Sequence, residues 1–245
     1  MNILLVVAHP DDEALGAGGT IRKLTRMGHT VDCCILSGTV DARTQRPTSE
    51  ELCEDIEKAR QVLGLRNVVL GEFKNIEFNV VPHLKLVQHI EAQIDAFGSQ
   101  VIFTHHPSDL NNDHTQTAKA CLAASRLWQR RSGVPRLEEL YFMEIPSSSE
   151  WAFSGHERTF EPNTFVELSE DDVQAKIASV AAYRKVMRPA PHPRSEENLT
   201  ALARWRGSQA GYLYAEAFQR VFGGFCVTET PVSKASPAIG NAGSV

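Results

Sequence analysis

The feature that most constrains the fold of this 245-residue chain is the alternation of short apolar runs with longer helix-like stretches. The apolar runs predict strands at 3–8, 30–36, 67–71, 100–104, 139–144 and 163–168. Helices are predicted at 14–27, 49–63, 83–97, 113–130, 170–187 and 196–209. Such alternation is typical of a parallel sheet covered on both faces. With right-handed crossovers, the predicted fold class is α/β: a Rossmann-like doubly wound, mostly parallel sheet with helices on both faces.

Length and composition predict one domain followed by a tail. A chain of this length that is 42% hydrophobic can bury one sizeable core, so residues 1–228 are expected to form a single domain. Beyond Phe225 the chain becomes rich in Thr, Pro, Ser, Ala and Gly, which predicts a flexible tail at 229–245. Residues 188–194 contain three prolines, which exclude a helix and predict an ordered loop.

Charge and hydrophobicity argue against several classes of partner. The net charge of −5 gives no sign of the excess of basic residues that is typical of nucleic-acid-binding proteins. No apolar run approaches the roughly 18 residues of a membrane span, and no secretion signal is recognisable at the N-terminus. The five cysteines lack Cys-x-x-Cys spacing, so we expect reduced thiols and a cytoplasmic location. The sequence leaves the oligomeric state open; a homo-oligomer is one alternative, because small α/β enzymes commonly assemble symmetrically.

The first segment rich in potential ligands is the hexapeptide Ala-His-Pro-Asp-Asp-Glu at 8–13, directly after an apolar run. Pro10 cannot donate a ladder hydrogen bond, so the strand is expected to end there. Three neighbouring carboxylates repel one another, and a bound cation explains why they are gathered. The glycines that follow, Gly16, Gly18 and Gly19, lack the spacing of a dinucleotide-binding loop and are interpreted as close helix–sheet packing.

A second such segment, Thr-His-His-Pro-Ser-Asp-Leu-Asn-Asn-Asp-His at 104–114, follows the fourth predicted strand. It leads into an Ala-rich helix that begins near Asp113. In a doubly wound sheet the first and fourth strands are neighbours at the point where the strand order reverses, and ligands bind at their carboxyl ends. The fold class therefore predicts that the two segments meet.

His9, Asp12 and His114 together form a candidate metal site. Two imidazoles, one carboxylate and an open position suit a catalytic zinc, and they equally resemble the facial triad of non-haem iron. The expected cofactor is Zn²⁺, with Fe²⁺ or Co²⁺ as alternatives. Asp11 is placed to take a proton from metal-bound water, whose pKa zinc lowers to about 7. Asp113 is predicted to orient the imidazole of His114 or of a facing histidine.

The two segments, at 8–13 and 106–114, resemble those of the LmbE-like, or PIG-L, family of zinc-dependent deacetylases. The resemblance covers residues 2–145 and extends more loosely to about 222. It implies a Rossmann-like scaffold and removal of acetyl groups from N-acetylglucosamine-type sugars. It also implies that His9, Asp12 and His114 are the metal ligands and that Asp11 is the general base.

The chain departs from the family pattern at Asn111. Many members have a histidine three residues before the last ligand, and that histidine is thought to stabilise the oxyanion or protonate the leaving amine. An amide can donate a hydrogen bond to an oxyanion but cannot deliver a proton at neutral pH. The general acid is therefore open among Asp11, His106, His105 and His192, and the first two are favoured.

Substrate contacts are predicted in two loops and one late segment. Arg43, after the second strand, and Arg194, in the Pro-rich loop, are candidates to hold substrate hydroxyls or a phosphate. His192 lies between two prolines, which suits a contact at the rim of the site. Glu216 is a further possible contact.

These observations predict a metal-dependent hydrolase that removes the N-acetyl group from an amino sugar or glycoconjugate, a small-molecule partner. One alternative is a non-haem iron oxygenase with the same three ligands, and another is a sugar-binding module without turnover. The adjacent carboxylate Asp11 favours hydrolysis, because hydrolysis needs a base beside the metal and oxygenation does not.

Overall fold

A computed structural model describes residues 1–42, 45–153 and 159–224. Within these ranges seven strands form one sheet in the order β3-β2-β1-β4-β5-β7-β6. The strands are β1 (Asn2–Val7), β2 (Thr30–Ile35), β3 (Val68–Leu70), β4 (Val101–His105), β5 (Glu139–Met143), β6 (Thr164–Glu167) and β7 (Ala215–Gly223). The first five are parallel, and β7 is antiparallel to both of its neighbours. The predicted α/β, mostly parallel fold is confirmed.

Six α-helices pack on the sheet within the described residues. They are α1 (Asp12–Arg26), α2 (Ser49–Leu63), α3 (His83–Phe97), α4 (Asn112–Ala124), α5 (Glu170–Ala182) and α6 (Glu196–Ala210). Successive side chains of β1 point to opposite faces of the sheet, and both faces are covered. Ile3 and Leu5 lie in the core shared with α1, α2, α5 and α6. Leu4 and Val6 lie in the core beneath α3 and α4. None of these helices is both long and apolar enough to span a bilayer.

The switch point lies between β1 and β4, as the strand alternation predicts. The two strands pair in parallel, with Val6 opposite Thr104, and the hydroxyl of Thr104 donates to the carbonyl of Val6 at 2.9 Å. Their carboxyl ends therefore lie side by side, and the two ligand-rich segments leave the sheet from neighbouring positions. This juxtaposition is what places the candidate site.

Close packing explains the glycines of α1, as the sequence indicated. A Cβ on Gly16 would lie 2.8 Å from Ile145 Cδ1, and one on Gly19 would lie 2.6 Å from Leu168 Cδ1. Both distances are shorter than ordinary Cβ contacts, so a side chain at either position would displace its neighbour. The glycines therefore let α1 approach its neighbours closely.

The C-terminal half of the sheet differs from the sequence-based prediction. The strand β7 is absent from that prediction and lies between β5 and β6. Polar residues at Glu216, Gln219 and Arg220 interrupt its apolar run, which hides the strand from a search for buried parallel strands. The predicted domain boundary at 228 and the tail at 229–245 lie outside the described residues.

Glu216 is a structural residue, which corrects its prediction as a substrate contact. Its buried carboxylate accepts hydrogen bonds from the backbone N–H groups of Gly19 and Thr20 at 3.1 and 2.7 Å. Lys176 Nζ donates to the same carboxylate at 2.6 Å. The helix α1 is kinked at Ala17 (φ −144°, ψ 19°), and Glu216 caps the turns that follow the kink.

The buried Lys176–Glu216 pair yields a prediction about stability. Replacing Lys176 with Met leaves the Glu216 charge buried without its partner, so we expect the free energy of unfolding to fall by about 3–5 kcal/mol. Chemical denaturation measures this change. Lys23→Met, at a half-buried lysine that donates to the backbone carbonyl of Glu167, is the control and is expected to change stability by about 0.5 kcal/mol or less. A loss below about 1 kcal/mol for Lys176→Met would contradict the role assigned to the pair.

Candidate metal centre

The first two candidate ligands come from the turn between β1 and α1. Asp12 is the first residue of α1, and its Oδ2 accepts a hydrogen bond from the backbone N–H of His9 at 2.8 Å. Both side chains are buried, and His9 Nδ1 lies 3.4 Å from Asp12 Oδ2. The turn thus fixes an imidazole nitrogen beside a carboxylate oxygen.

The third candidate ligand, His114, lies in the first turn of α4. Asn111 is the N-cap of this helix, because its Oδ1 accepts the backbone N–H of Asp113 at 2.9 Å. The cap directs His114 Nε2 to 3.3 Å from Asp12 Oδ2. One donor atom from each of His9, Asp12 and His114 lies within 4.8 Å of the others.

The donor set fits a divalent transition metal. Ligand atoms about 2.0–2.2 Å from a tetrahedral zinc are roughly 3.3–3.5 Å apart. The separations of 3.4 and 3.3 Å from Asp12 Oδ2 to the two histidine nitrogens match that spacing. Two nitrogens and one oxygen suit Zn²⁺, Fe²⁺ and Co²⁺ alike.

The other nitrogen of each histidine faces a second carboxylate. His9 Nε2 lies 3.0 Å from Asp113 Oδ2, and Asp113 is itself held by the backbone N–H groups of Ile76 and Phe78 at 2.6 and 3.0 Å. His114 Nδ1 lies 3.1 Å from Asp109 Oδ1. Carboxylate–histidine pairs of this kind fix the orientation of metal-binding imidazoles. Asp113 thus lies beside the facing histidine, His9.

The carboxylates shift the protonation of the histidines. Burial alone lowers the pKa of His114, but the adjacent Asp12 and Asp109 outweigh burial and raise it to about 10. The pKa of His9 is also raised, because its hydrogen bonds to the carboxylates of Asp113 and Asp12 outweigh burial. The same attraction to His114 overcomes burial and holds the pKa of Asp12 well below its usual value. The histidines and the carboxylates of this buried cluster therefore favour each other's charged forms.

His105 lies beside the centre but is not a donor. Its Nε2 accepts the backbone N–H of Ala8 at 2.9 Å, and its ring stacks on that of His114 with centroids 3.9 Å apart. Burial and the nearby His114 lower its pKa to about 3, so the ring is neutral. Its Nε2 lone pair is occupied by the strand end, so we do not assign it as a ligand. A neutral imidazole is a poor proton donor, so we do not assign it as the general acid.

Asp11 adopts a backbone conformation that is unusual for a residue other than glycine (φ 106°, ψ −24°). Such conformations cost a non-glycine residue about 1–3 kcal/mol and are characteristic of functional sites. The backbone N–H of Asp11 donates to Glu13 Oε2 at 3.2 Å, and Tyr183 Oη donates to Glu13 Oε1 at 2.6 Å. Glu13 and Tyr183 are buried, and together they hold the turn that carries Asp11.

Asp11 lines a cavity that opens onto the candidate ligands. This catalytic cavity has a volume of about 360 Å³ and is bounded by His9, Asp11, Asp12, Asn111, His114, Asn75, Ser147, Ser148, Trp151 and Arg194, among others. Arg194 Nη1 lies 3.4 Å from Asp11 Oδ2, and its Nε donates to Ser147 Oγ at 2.6 Å. Among the described residues that line the cavity, Arg194 is the only arginine or lysine, and it lies beside the predicted base.

The structure does not bring every predicted residue to this cavity. His106, predicted as a general acid, lies between the rings of Phe142 and Phe160 and lines a neighbouring cavity instead. His192 lies at the rim, where its ring meets the edge of Trp151 at 5.6 Å and its Nδ1 accepts the backbone N–H of Arg194. Arg43 lies outside the described residues.

Sequence reasoning missed two supporting residues. Asp109, which faces His114, is also held by the hydroxyl of Ser149 at 2.7 Å. It lies within the second segment, two residues before the helix cap, and that position was the available signal. Tyr183 carries no such signal, because a tyrosine at the end of a helix is ordinarily a core residue.

Fold and site together define a class: Rossmann-like proteins with a two-histidine, one-carboxylate centre at the switch point of the sheet. Residues 4–125 match the family model described as PIG-L: GlcNAc-PI de-N-acetylase. The chain belongs to this PIG-L, or LmbE-like, family, and the resemblance carried by the two segments is confirmed.

Individual proteins extend the similarity over most of the chain. Diacetylchitobiose deacetylase of Thermococcus kodakarensis is 24% identical over 232 residues, which cover 91% of this chain and 84% of that protein. The solved structure of the conserved protein TT1542 from Thermus thermophilus is 26% identical, with a TM-score of 0.73, and covers 95% of this chain and 100% of that one. GalB, the 4-carboxy-2-hydroxymuconate hydratase from Pseudomonas putida, has a TM-score of 0.70 at 21% identity and covers 94% and 100%. The fold therefore hosts more than one reaction, and the reaction must be argued from the site.

Metal binding to the metal-free protein is predicted to release protons. A His114 with a pKa of about 10 is protonated at pH 7, and a metal ion must displace that proton. We expect Zn²⁺ binding at pH 7 to release about one proton and to strengthen by about tenfold per pH unit up to pH 9. Calorimetry in buffers of different ionisation enthalpy measures the release. Asp109→Asn is expected to reduce it, and an affinity independent of pH would contradict the prediction.

The buried Glu13 yields a second prediction. Burial raises its pKa to about 7, so between its unfolded pKa near 4.5 and pH 7 the folded state binds more protons than the unfolded state. The stability contributed by Glu13 is therefore present at low pH and is lost as the pH rises through 7. We expect the free energy of unfolding, measured as wild type minus Glu13→Gln, to fall by about 2.5 kcal/mol between pH 5 and 8. If the difference in unfolding free energy between wild type and Glu13→Gln did not change with pH, the prediction would be contradicted.

Proposed function

We propose that this protein is a metal-dependent N-deacetylase that hydrolyses the acetamide of an N-acetylated amino sugar or glycoconjugate. Zn²⁺ is the proposed native metal, with Fe²⁺ and Co²⁺ as alternatives that the same donors accept. Family membership supports the reaction class. The observation that carries the proposal is that Asp11, a carboxylate outside the donor set, lines the same cavity as His9, Asp12 and His114.

Hydrolysis of an acetamide needs an activated water and a polarised carbonyl. A divalent cation held by His9, Asp12 and His114 supplies both when bound. Asp11 accepts the proton of the attacking water as the water oxygen forms its bond to the acetyl carbon. Arg194, 3.4 Å from Asp11 Oδ2, orients the base and offers donors to substrate hydroxyls.

Asn111 is proposed to stabilise the negative charge that develops on the acetyl oxygen. Its Oδ1 is occupied by the cap of α4, so its Nδ2 hydrogens are the donors that it can offer to a ligand. An amide donor suits this task because it carries no proton to lose at neutral pH.

The leaving amine must be protonated as the C–N bond breaks. His106 lines another cavity, and the lone pair of His105 is occupied by the backbone. His192 is not among the described residues that line the catalytic cavity, and its Nδ1 accepts the backbone N–H of Arg194. We therefore infer that Asp11 returns to the amine the proton that it took from water, so that acetate and a free amino sugar are released. One carboxylate then serves as base and acid in succession.

The rival functions share the donor set but not this arrangement. A non-haem iron oxygenase needs no carboxylate base beside its metal, and a binding module needs none either. A hydratase also adds water, and it is distinguished by its substrate, because only an amide yields acetate and an amine.

Acetate release from metal-stripped protein, with and without added Zn²⁺, tests the proposal on a panel of N-acetylated sugars and conjugates. Zinc-restored release from at least one member is expected. No release from any member, with one metal ion bound per chain, would contradict N-deacetylation.

A contrast between adjacent aspartates tests the mechanism. Asp11→Asn is expected to lower kcat by about 10²- to 10⁴-fold while the protein keeps its metal. Asp12→Asn is expected to lose metal as well as activity, because it removes a ligand. Asp171→Asn, at an exposed position of α5, is the control and should match wild type. Turnover of Asp11→Asn within a few-fold of wild type would exclude Asp11 as the base.

A further inference from the structure

The proposed base Asp11 is held by a segment that lies far from it in the chain. This α5–α6 segment, residues 183–195, connects the two helices, with Tyr183 at its beginning and Arg194 near its end. Tyr183 Oη donates to Glu13 Oε1 at 2.6 Å, and Glu13 Oε2 accepts the backbone N–H of Asp11 at 3.2 Å. Arg194 Nη1 lies 3.4 Å from Asp11 Oδ2. The α5–α6 segment therefore supports both the backbone and the carboxylate of the base.

The α5–α6 segment is itself anchored at both ends. Tyr183 is the C-cap of α5, and the backbone N–H of the next residue, Arg184, donates to Asp55 Oδ2 of α2 at 2.9 Å. At the other end Ser195 is the N-cap of α6, and its Oγ accepts the backbone N–H of Asn198 at 3.2 Å. A segment fixed in this way can hold a neighbouring side chain in one position.

The backbone of Asp11 needs such support. Its conformation (φ 106°, ψ −24°) is strained for an aspartate, and a strained conformation persists only where the surrounding contacts determine it. Glu13 and Tyr183 are only 1% and 2% exposed. Water is therefore poorly placed to replace the Tyr183 hydroxyl as a donor to Glu13, and loss of that hydroxyl leaves the buried bridge to Asp11 incomplete.

The candidate metal ligands are held by other contacts. His9 Nε2 lies 3.0 Å from Asp113 Oδ2, and His114 Nδ1 lies 3.1 Å from Asp109 Oδ1. Asp12 Oδ2 accepts the backbone N–H of His9 at 2.8 Å. None of these contacts involves the α5–α6 segment. The position of the base and the geometry of the donor set therefore depend on separate groups of residues.

We propose that Tyr183 is a positioning residue for the base: acting through Glu13, it holds Asp11 where the carboxylate accepts the proton of the attacking water. The proposal rests on the proposed N-deacetylase function. Tyr183 is not among the described residues that line the catalytic cavity. Its loss is therefore expected to slow the chemical step without weakening the binding of metal or substrate. Base and metal site are then separable by substitution, although Asp11 and Asp12 are adjacent in the sequence.

Amide hydrogen exchange in the zinc-loaded protein, measured by NMR, tests the positioning without relying on turnover. Tyr183→Phe removes the hydroxyl and keeps the ring. We expect the Asp11 amide to exchange about tenfold faster or more, because its hydrogen bond to Glu13 is weakened. The His9 amide, which donates to Asp12 Oδ2, is expected to keep its wild-type rate. Unchanged exchange at Asp11, or equal acceleration of both amides, would overturn the proposal.

Turnover in two backgrounds tests whether Tyr183 acts through Asp11. On the N-acetylated sugar that wild type hydrolyses fastest, Tyr183→Phe is expected to lower kcat by about 10- to 100-fold, because a misplaced base slows the chemical step. KM and the affinity for Zn²⁺ are expected to stay within about threefold of wild type. In an Asp11→Asn background the same substitution is expected to lower the remaining kcat by less than about twofold. Equal losses in both backgrounds would overturn the proposal.

Two further variants complete the test. Tyr214→Phe is the matched control, because Tyr214 is also buried and its hydroxyl accepts a hydrogen bond from Arg204 Nη2 at 3.1 Å. It is expected to keep the wild-type kcat and the wild-type exchange rate at Asp11. Glu13→Met removes the acceptor instead of the donor and is expected to reproduce both effects of Tyr183→Phe, so the test stands even if Tyr183→Phe does not fold. Thermal melting and zinc content report folding, and a folded Glu13→Met protein with wild-type kcat and exchange would overturn the proposal.

Exchange and acetate release together separate failure of this proposal from failure of the proposed function. Faster exchange of the Asp11 amide in Tyr183→Phe, with no acetate released by wild type from any sugar, would support the role of Tyr183 in holding Asp11 while N-deacetylation fails. Acetate release by wild type and Tyr183→Phe at equal kcat, with equal exchange at Asp11, would leave N-deacetylation standing and overturn the role of Tyr183.

Discussion

The parallel pairing of β1 with β4 is the constraint on which the candidate site depends. Each strand delivers a polar segment at its carboxyl end, and the register that places Val6 opposite Thr104 brings those segments together. The chain leaves the two strands in opposite directions along the sheet, which opens the cleft between them. The ligands therefore need no loop of their own to meet. A backbone interaction among apolar residues determines where the charged chemistry lies.

The site concentrates charge that the rest of the molecule must stabilise. Asp12, Asp109 and Asp113 surround His9 and His114, and all five side chains are buried. Buried carboxylates are tolerable only when cations and backbone donors compensate them. Here the compensation comes from the imidazoles of His9 and His114, whose pKa values are raised, and from N–H groups at the start of α4 and in the loop before α3. As the pH rises, fewer protons compete for the imidazole nitrogens. The same side chains therefore bind a doubly charged cation more tightly at higher pH.

How far the sequence predicts this molecule depends on how local each signal is. The parallel strands and most helices were predictable because apolar runs and helix caps are local, and helices α2 and α3 have the predicted bounds. The strand β7 was not predictable in this way, because its partner strands lie elsewhere in the chain and its own residues mix polar and apolar types. The same limit applies to the site. The ligands lie within two short segments, whereas Tyr183, which donates a hydrogen bond to Glu13, is 170 positions away from it in the sequence. Cavity walls such as Phe160 belong to tertiary packing alone.

The late position of β7 in the chain has a consequence for how the protein assembles on the ribosome. The five parallel strands are complete once β5 has been synthesised, but within the described chain β6 pairs only with β7. Until β7 emerges, β6 has no partner and the edge of β5 presents unpaired backbone groups, which invite association with other chains. When β7 arrives, it closes that edge and brings Glu216 to the kink of α1. Completion of the sheet and locking of the helix that begins at the metal centre are therefore one late event, and nascent chains that stall before it are the form most exposed to aggregation.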